Sequence, residues 1–276
     1  MKSPLLFSLR NPGIIVVSTA VLFSCTSSPL GRRQLMVMPD SKMNEMGVQS
    51  FEEMKKATPI ETNPEINAYV KCVALPITRE AGDATGVSSW EIVVFKDKTA
   101  NAFALPGGKI GVHTGMLPVA KTPGQLAAVL GHEVGHVIAK HGNERVSEGM
   151  ITQGLASVAA ISVKDPKYQS LVMAGLGIGA QYGIALPHSR TQESEADLIG
   201  LDLMARSGFD PRESVGLWQN MSAASGGNAP PQFLSTHPSN ETRISALQSH
   251  IPEALTKYEA AQKAGKAPHC VKPAGL

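Results

Sequence analysis

The sequence predicts an α+β fold, mainly helical with one small β-sheet, on three observations. Several long segments repeat apolar residues at three- and four-residue intervals behind recognisable helix caps. Two short apolar stretches, "WEIVVFKDK" and "NAFALPGGKIGVHTG", read as strands, the second folded at Pro106-Gly107-Gly108. These strands lie together ahead of the most strongly capped helix instead of recurring along the chain, which predicts one sheet serving one body. With 276 residues, 42% apolar and only 17% charged, the chain can bury the core of one large domain.

In chain order, Lys2 and Arg10 precede an apolar run over residues 14–23 with no acid among them, the pattern of an export signal in residues 1–24. The run is too short to span a bilayer comfortably. It ends in "LFSC", which resembles the bacterial lipobox and so implies cleavage before Cys25 and lipidation of Cys25. Thr26 stands where an aspartate would resemble an inner-membrane retention signal, so the expected address is the periplasmic face of the outer membrane. Loss of Lys2 and Arg10 leaves acids and bases balanced, with no electrostatic reason to expect a nucleic-acid partner. With Cys25 acylated, Cys72 and Cys270 remain as an even pair in an oxidising compartment, able to staple the C-terminal tail to an early helix; two free thiols are the alternative.

Residues 25–60 are polar and methionine-rich, and are expected to form a tether ending in a packed helix at "SKMNEMGVQSFEEMKK", with Met43, Met46 and Met54 as core filler. The body is expected over residues 61–276. Asn63 and Pro64 open a second helix carrying Tyr69, Val70, Val73, Ala74 and Ile77 on its apolar side. After the strands, Thr122, Pro123 and Gln125 predict a capping box, and His141-Gly142 mark the end of that helix. The small-residue stretches "ITQGLASVAAISV" and "LVMAGLGIGAQYGIALP" predict a close-packed helical hairpin beside the site, because Gln153 and Gln181 interrupt any membrane span. The glycines of "GLGIGA" follow no strand, which excludes a dinucleotide fingerprint, and no nucleotide-binding motif occurs elsewhere. Helices over 189–207, after Asp210-Pro211-Arg212-Glu213, and from Asn240 complete the chain.

Chemistry concentrates in "AAVLGHEVGHVIAKHG". Residues four apart on a helix share a face, so His132 and His136 can offer two imidazole nitrogens to one zinc ion, with Glu133 beside the metal and aimed at its water. That arrangement suits amide hydrolysis: zinc acidifies the water and polarises the carbonyl, while a glutamate moves the proton to the departing amine. Catalytic zinc usually takes three protein ligands. A third histidine in the metzincin position is absent, since Ala139 and Gly142 stand where glycine and histidine are needed. The stretch "SRTQESEADLIGLD" offers Glu193, with Asp197 one turn later to hydrogen-bond a ligand histidine, whereas Glu195 points elsewhere.

Together, "HEVGHVIAKH" and "SRTQESEAD" resemble the gluzincin endopeptidases, the family that includes the CaaX prenyl protease, HtpX, the mitochondrial Oma peptidase, BepA and LoiP. "NAFALPGG", "HTGML" and "THPSNETRI" extend the resemblance over about residues 63–247, and "SPLGRRQL" after the cysteine is similar to bacterial lipoproteins of the Oma-like branch. The resemblance implies a zincin-type metallopeptidase with one zinc ion per chain and Glu193 as third ligand. It implies that an active-site edge strand at Asn101, Ala102, Phe103 and Ala104, or alternatively residues 109–113, binds extended peptide by backbone hydrogen bonds. It also brings His237 to the metal, to stabilise an oxyanion or close the open position, while Arg243 steadies Glu193 or a nearby carboxylate. His113, His141, His188, His250 and His269 are expected at the surface or at helix caps.

These readings predict a zinc-dependent, ATP-independent endopeptidase for misfolded or unassembled envelope proteins, membrane-held through Cys25, with no nucleic-acid or nucleotide partner. A chaperone or assembly factor that grips chains on its edge strand and rarely cuts is the alternative.

Overall fold

The computed structural model describes residues 25–152, 171, 173–176, 188–224, 232–237 and 241–276. The export signal expected over residues 1–24 and most of the expected helical hairpin lie outside these residues. So does much of the loop before His237. No helix among the described residues is long and apolar enough to cross a membrane.

A ribbon of β1 (Cys25–Ser27) and β2 (Arg33–Leu35) leads into α1 (Asp40–Ala57) and α2 (Pro64–Ala81). Then come β3 (Glu91–Phe95), β4 (Ala102–Leu105) and β5 (Lys109–His113). The remaining helices are α3 (Pro123–Ile138), α4 (His141–Thr152), α5 (Arg190–Arg206), α6 (Glu213–Ala224), α7 (Gln232–Thr236) and α8 (Glu241–Lys263). The chain is thus mainly helical with a small sheet, an α+β architecture.

The three-stranded sheet has the order β3-β5-β4, with β3 parallel and β4 antiparallel to β5. Residues 109–113 therefore occupy its centre and β4 an edge, which corrects the alternative that the strand after the turn lies open. The parallel pairing of β3 with β5 takes up the face of β5 that hairpin logic alone would leave free.

Alternation along the strands divides the core. Val94, Ala104, Ile110 and Val112 pack with α2 and α3, while Phe95, Phe103 and Leu105 pack with Met43, Met46, Phe51 and Met54 of α1. Opposite Phe103 sits Gly111, where a Cβ would meet the ring at 2.1 Å. Helix α3 runs through the middle of the body, and Gln125, the HExxH residues and everything between are buried.

Caps position the helices. Asn63 accepts from the amides of Glu65 and Ile66, and Thr122 from that of Gln125. The expected capping box at Thr122 is half formed, because the Gln125 side chain accepts from Lys121 N instead of returning to Thr122. Helix α3 stops at Ile138, and Lys140 turns the chain at φ 54°. His141 and Gly142 consequently begin α4 instead of ending α3, since a single left-handed residue redirects the chain there.

The segment expected as a tether is folded against the body. Gln34 Nε2 donates to Ala139 O at 2.6 Å, Val37 N to Ser147 Oγ at 3.0 Å, and Asn143 Nδ2 to Met38 O at 2.8 Å. Local composition could not reveal these partners, which lie about a hundred residues away. At the other end, Cys72 on α2 is bonded to Cys270 in the tail.

Candidate metal centre

Helices α3 and α5 meet through small residues. A Cβ at Gly131 would lie 2.7 Å from Gly200 O, and one at Gly135 would lie 2.8 Å from Ala196 O. This approach lets a carboxylate on α5 reach side chains on α3. His132, His136, Glu193 and His237 are all buried and present ligand atoms within 4.8 Å of one another.

The separations lie at or somewhat below those of a zinc site. Metal–ligand distances of about 2.0–2.2 Å in a tetrahedron place neighbouring ligand atoms roughly 3.3–3.6 Å apart. His132 Nε2 and His136 Nε2 are 3.0 Å apart, and Glu193 oxygens lie 3.5 Å from the first and 3.4 Å from the second. His237 Nδ1 is 3.2 Å from His132 Nε2 and 2.9 Å from Glu193 Oε1.

Proton placement argues the same way. His132 Nδ1–H donates to Asp197 Oδ1 at 2.9 Å, which turns the Nε2 lone pair inward. Asp197 is itself held by Arg243, whose Nε and Nη2 donate to its two oxygens at 2.7 Å each. Arg243 Nη1 also lies 2.6 Å from Glu193 Oε2, and its guanidinium stacks 4.0 Å over the Trp218 ring on α6. Donors therefore point outward, while lone pairs and a carboxylate converge inward, a set that a divalent cation satisfies. Zinc is the cofactor that fits these donors.

Burial would raise Glu193, but His237, His136 and His132 outweigh it and hold the carboxyl well below the usual range. His136 is pushed well below its ordinary value by burial. For His132, burial pulls down but Asp197 and Glu193 prevail, so its value rises. Burial raises Glu133, whose Oε1 has no hydrogen-bond partner among the described residues and lies 3.5 Å from His237 Nε2.

Glu133 and His136 face a cleft of about 370 Å³, also lined by Asn101, Ala102, Phe103 and Ala104. The Ala104 amide lies close enough to favour the charged form of Glu133. Short helix α7 brings His237 in: Phe233 N donates to Ala100 O ahead of β4, and His237 N to Phe233 O.

Three histidines correct the expectation of surface or capping roles. His113, His141 and His188 are buried, whereas His250 and His269 are exposed. Burial of His113 follows from its place at the end of the central strand, and its Nδ1 meets Thr99 Oγ1 at 2.8 Å. The turn at Lys140 swings His141 beneath His136, with their Nδ1 atoms 2.8 Å apart. His188 packs tilted against His136 at 3.9 Å between ring centres, and its Nδ1 has no hydrogen-bond partner among the described residues.

His136, His141 and His188 form a second group compact enough for a metal. Yet the 2.8 Å contact shares one proton, and His141 Nε2 is already committed to Glu195 Oε2 at 3.1 Å. The group therefore reads as support for His136. Glu195 indeed faces away from the metal group. Arg32 and Glu195 were missed as supporting residues, since no local pattern joins them to the motif. His141, five residues after His136, carried the one visible signal.

Cys25 begins β1 at the start of the described chain. The sequence profile described as Peptidase family M48 matches residues 61–251. The chain is 41% identical over 172 residues to the mitochondrial metalloendopeptidase OMA1 of Schizosaccharomyces pombe, across 62% of this chain and 49% of that protein. It is 32% identical over 272 residues to the mitochondrial metalloendopeptidase OMA1 of Homo sapiens, across 92% and 51% respectively. Identity to the beta-barrel assembly-enhancing protease of Escherichia coli (strain K12) is 24% over 206 residues, across 72% and 42%. The chain thus spans about half the length of these curated relatives.

Proposed function

The chain belongs to peptidase family M48, and from that premise we propose a zinc-dependent, ATP-independent endopeptidase that cuts misfolded or unassembled protein chains at a bacterial envelope membrane. The observation that carries this reading is the position of Glu133. It is a buried carboxylate with one unpartnered oxygen, beside a zinc-fitting donor group and facing a cleft walled by an edge strand.

In this reading His132, His136 and Glu193 would hold the metal, which would supply a Lewis acid for activating water and polarising the scissile carbonyl. An extended substrate segment adds to the free side of β4 at Ala102, Phe103 and Ala104, so backbone hydrogen bonds position it with little demand on side-chain identity. Glu133 takes the proton of the attacking water and delivers it to the departing nitrogen. Asp197 and Arg243 keep His132 and Glu193 oriented. His237 would either stabilise the oxyanion or lend a ring nitrogen to the metal group in a closed resting state. Its place among the donor atoms supports the second role and with it a chaperone-like form that seldom cuts.

The domain proposal is a peptidase body over residues 61–276 with residues 25–60 as a lipid-linked N-terminal segment. The lead-in to Cys25 and the Cys72–Cys270 bond support an oxidising envelope compartment and a periplasmic-side outer-membrane lipoprotein. The beta-barrel assembly-enhancing protease is from a bacterium, whereas the OMA1 relatives are named mitochondrial. Fatty-acid labelling that survives in Cys25→Ser would remove the lipid anchor from this reading.

The decisive experiment is zinc content and casein cleavage by the purified full chain beside Glu133→Gln. The expected result is about one zinc ion per chain in both. Cleavage should fall about 10²–10⁴-fold in the variant. Zinc-loaded native chain that cuts nothing, even as His237→Ala, would sink the peptidase reading. Cleavage released only by His237→Ala would establish the closed resting state.

A further inference from the structure

Behind His136, a line of buried polar groups runs outward to the N-terminal ribbon. With His136 Nε2 turned to the metal group, its Nδ1–H donates to His141 Nδ1 at 2.8 Å. His141 Nε2–H donates to Glu195 Oε2 at 3.1 Å, and Arg32 Nε donates to the same oxygen at 3.0 Å. His141 is fully buried and Glu195 nearly so, whereas the Arg32 side chain keeps 24% of its surface exposed. Arg32 is thus where the line reaches solvent.

The same guanidinium grips α4, with Nη1 and Nη2 donating to the two Glu144 oxygens at 2.5 and 2.6 Å. Gln192 Nε2 on α5 donates to Glu144 Oε2 at 2.8 Å. Gln34 of the same ribbon holds Ala139 O at the end of α3. One ribbon therefore ties together α3, α4 and α5, the first and last of which carry the metal-binding side chains.

We propose that Arg32, through Glu195 and His141, is a positioning residue for the metal ligand His136, so that the N-terminal ribbon sets how tightly the chain holds zinc. This rests on the reading of His132, His136 and Glu193 as zinc ligands. The physical argument is that a ligand histidine needs its outer ring nitrogen engaged, to fix both the tautomer and the ring orientation. Aspartate does this for His132 directly, whereas His136 meets a second histidine. A neutral imidazole can accept from His136 only if its own proton is held on Nε2, which Glu195 enforces. Glu195 in turn is a buried carboxylate that needs a cation, and Arg32 supplies it.

The test is zinc dissociation measured by chelator competition on the full chain, its His141→Leu, His141→Gln and Arg32→Ala variants, with thermal unfolding of the zinc-free proteins alongside. Glutamine retains one acceptor and one donor; leucine retains only bulk. Zinc affinity should weaken about 10–100-fold in His141→Leu and about 3–10-fold or more in Arg32→Ala, and His141→Gln should recover most of the loss. If His141→Leu does not fold, the comparison of His141→Gln with Arg32→Ala decides. Native affinity in Arg32→Ala, or glutamine no better than a folded leucine variant, overturns the inference. A native chain that binds no zinc overturns instead the reading of the metal centre.

Discussion

Two carboxylates on α5, Glu193 and Glu195, are buried two residues apart and neighbour two differently built regions. Around Glu195 and Glu144 the cation is part of the chain: Arg32 meets both. Around Glu193 the inward-facing groups are imidazole lone pairs and a carboxylate, with Arg243 bracing from behind. The difference separates a carboxylate pair clamped by one arginine from a carboxylate that shares its arginine with a converging set of imidazoles. Buried charge by itself does not mark a functional site; what distinguishes Glu193 is the set of imidazole nitrogens that converge with it.

The comparison breaks most sharply at Glu193. Glu193→Ala should lower zinc affinity by more than the roughly 100-fold expected for a supporting residue, while Glu195→Gln should stay inside that range; metal titration of both reads the contrast. Equal losses would mean that the two regions are not distinct. The covalent staple remote from both serves as a control. Replacing Cys72 and Cys270 by alanine should cost about 2–5 kcal/mol in denaturant unfolding with zinc stoichiometry unchanged.

Acid probes both regions together. Burial would raise Glu144 and Glu195, but Arg32 holds the first below its usual range, and His141, Ser28 and Arg32 hold the second at about 2. Glu193 is lowered as well. Groups lowered in the folded state stabilise it fully above their unfolded value of about 4.3 and lose that contribution as pH falls through the folded value. The thermal midpoint of zinc-free protein should therefore drop steadily from about pH 5 towards pH 2, and a flat profile would deny the pairings. Smallest of all is Lys140, which joins α3 to α4 at φ 54°. Lys140→Gly should be neutral or stabilising by up to about 1 kcal/mol, because glycine bears that conformation without strain and the exposed pair with Asp40 adds little.

Much of this was readable from local pattern. Caps at Asn63 and Thr122 place the starts of α2 and α3 to within a residue or two, because capping is chemistry between near neighbours. Helical spacing likewise places His132 with His136, and Glu193 with Asp197. What escaped has long-range causes. Arg32 finds its partners more than a hundred residues away, and no periodicity encodes them. The central position of β5 depends on a parallel pairing with β3 that no turn announces. His141 was hidden by one backbone angle at Lys140, which ends a periodicity that would have carried His141 elsewhere.

The glycines between α3 and α5 set a dimension as well as a contact. Gly131, Gly135 and Gly200 leave no room for a methyl group between the helices. Glu193 rides on one backbone and the two imidazoles on the other, so the gap between backbones sets the span of the donor cage. Alanine at Gly200, whose Cβ would meet His132 N at 2.6 Å, would push the two backbones apart and widen that span. The span between these donor atoms is therefore written partly in residues that carry no donor themselves.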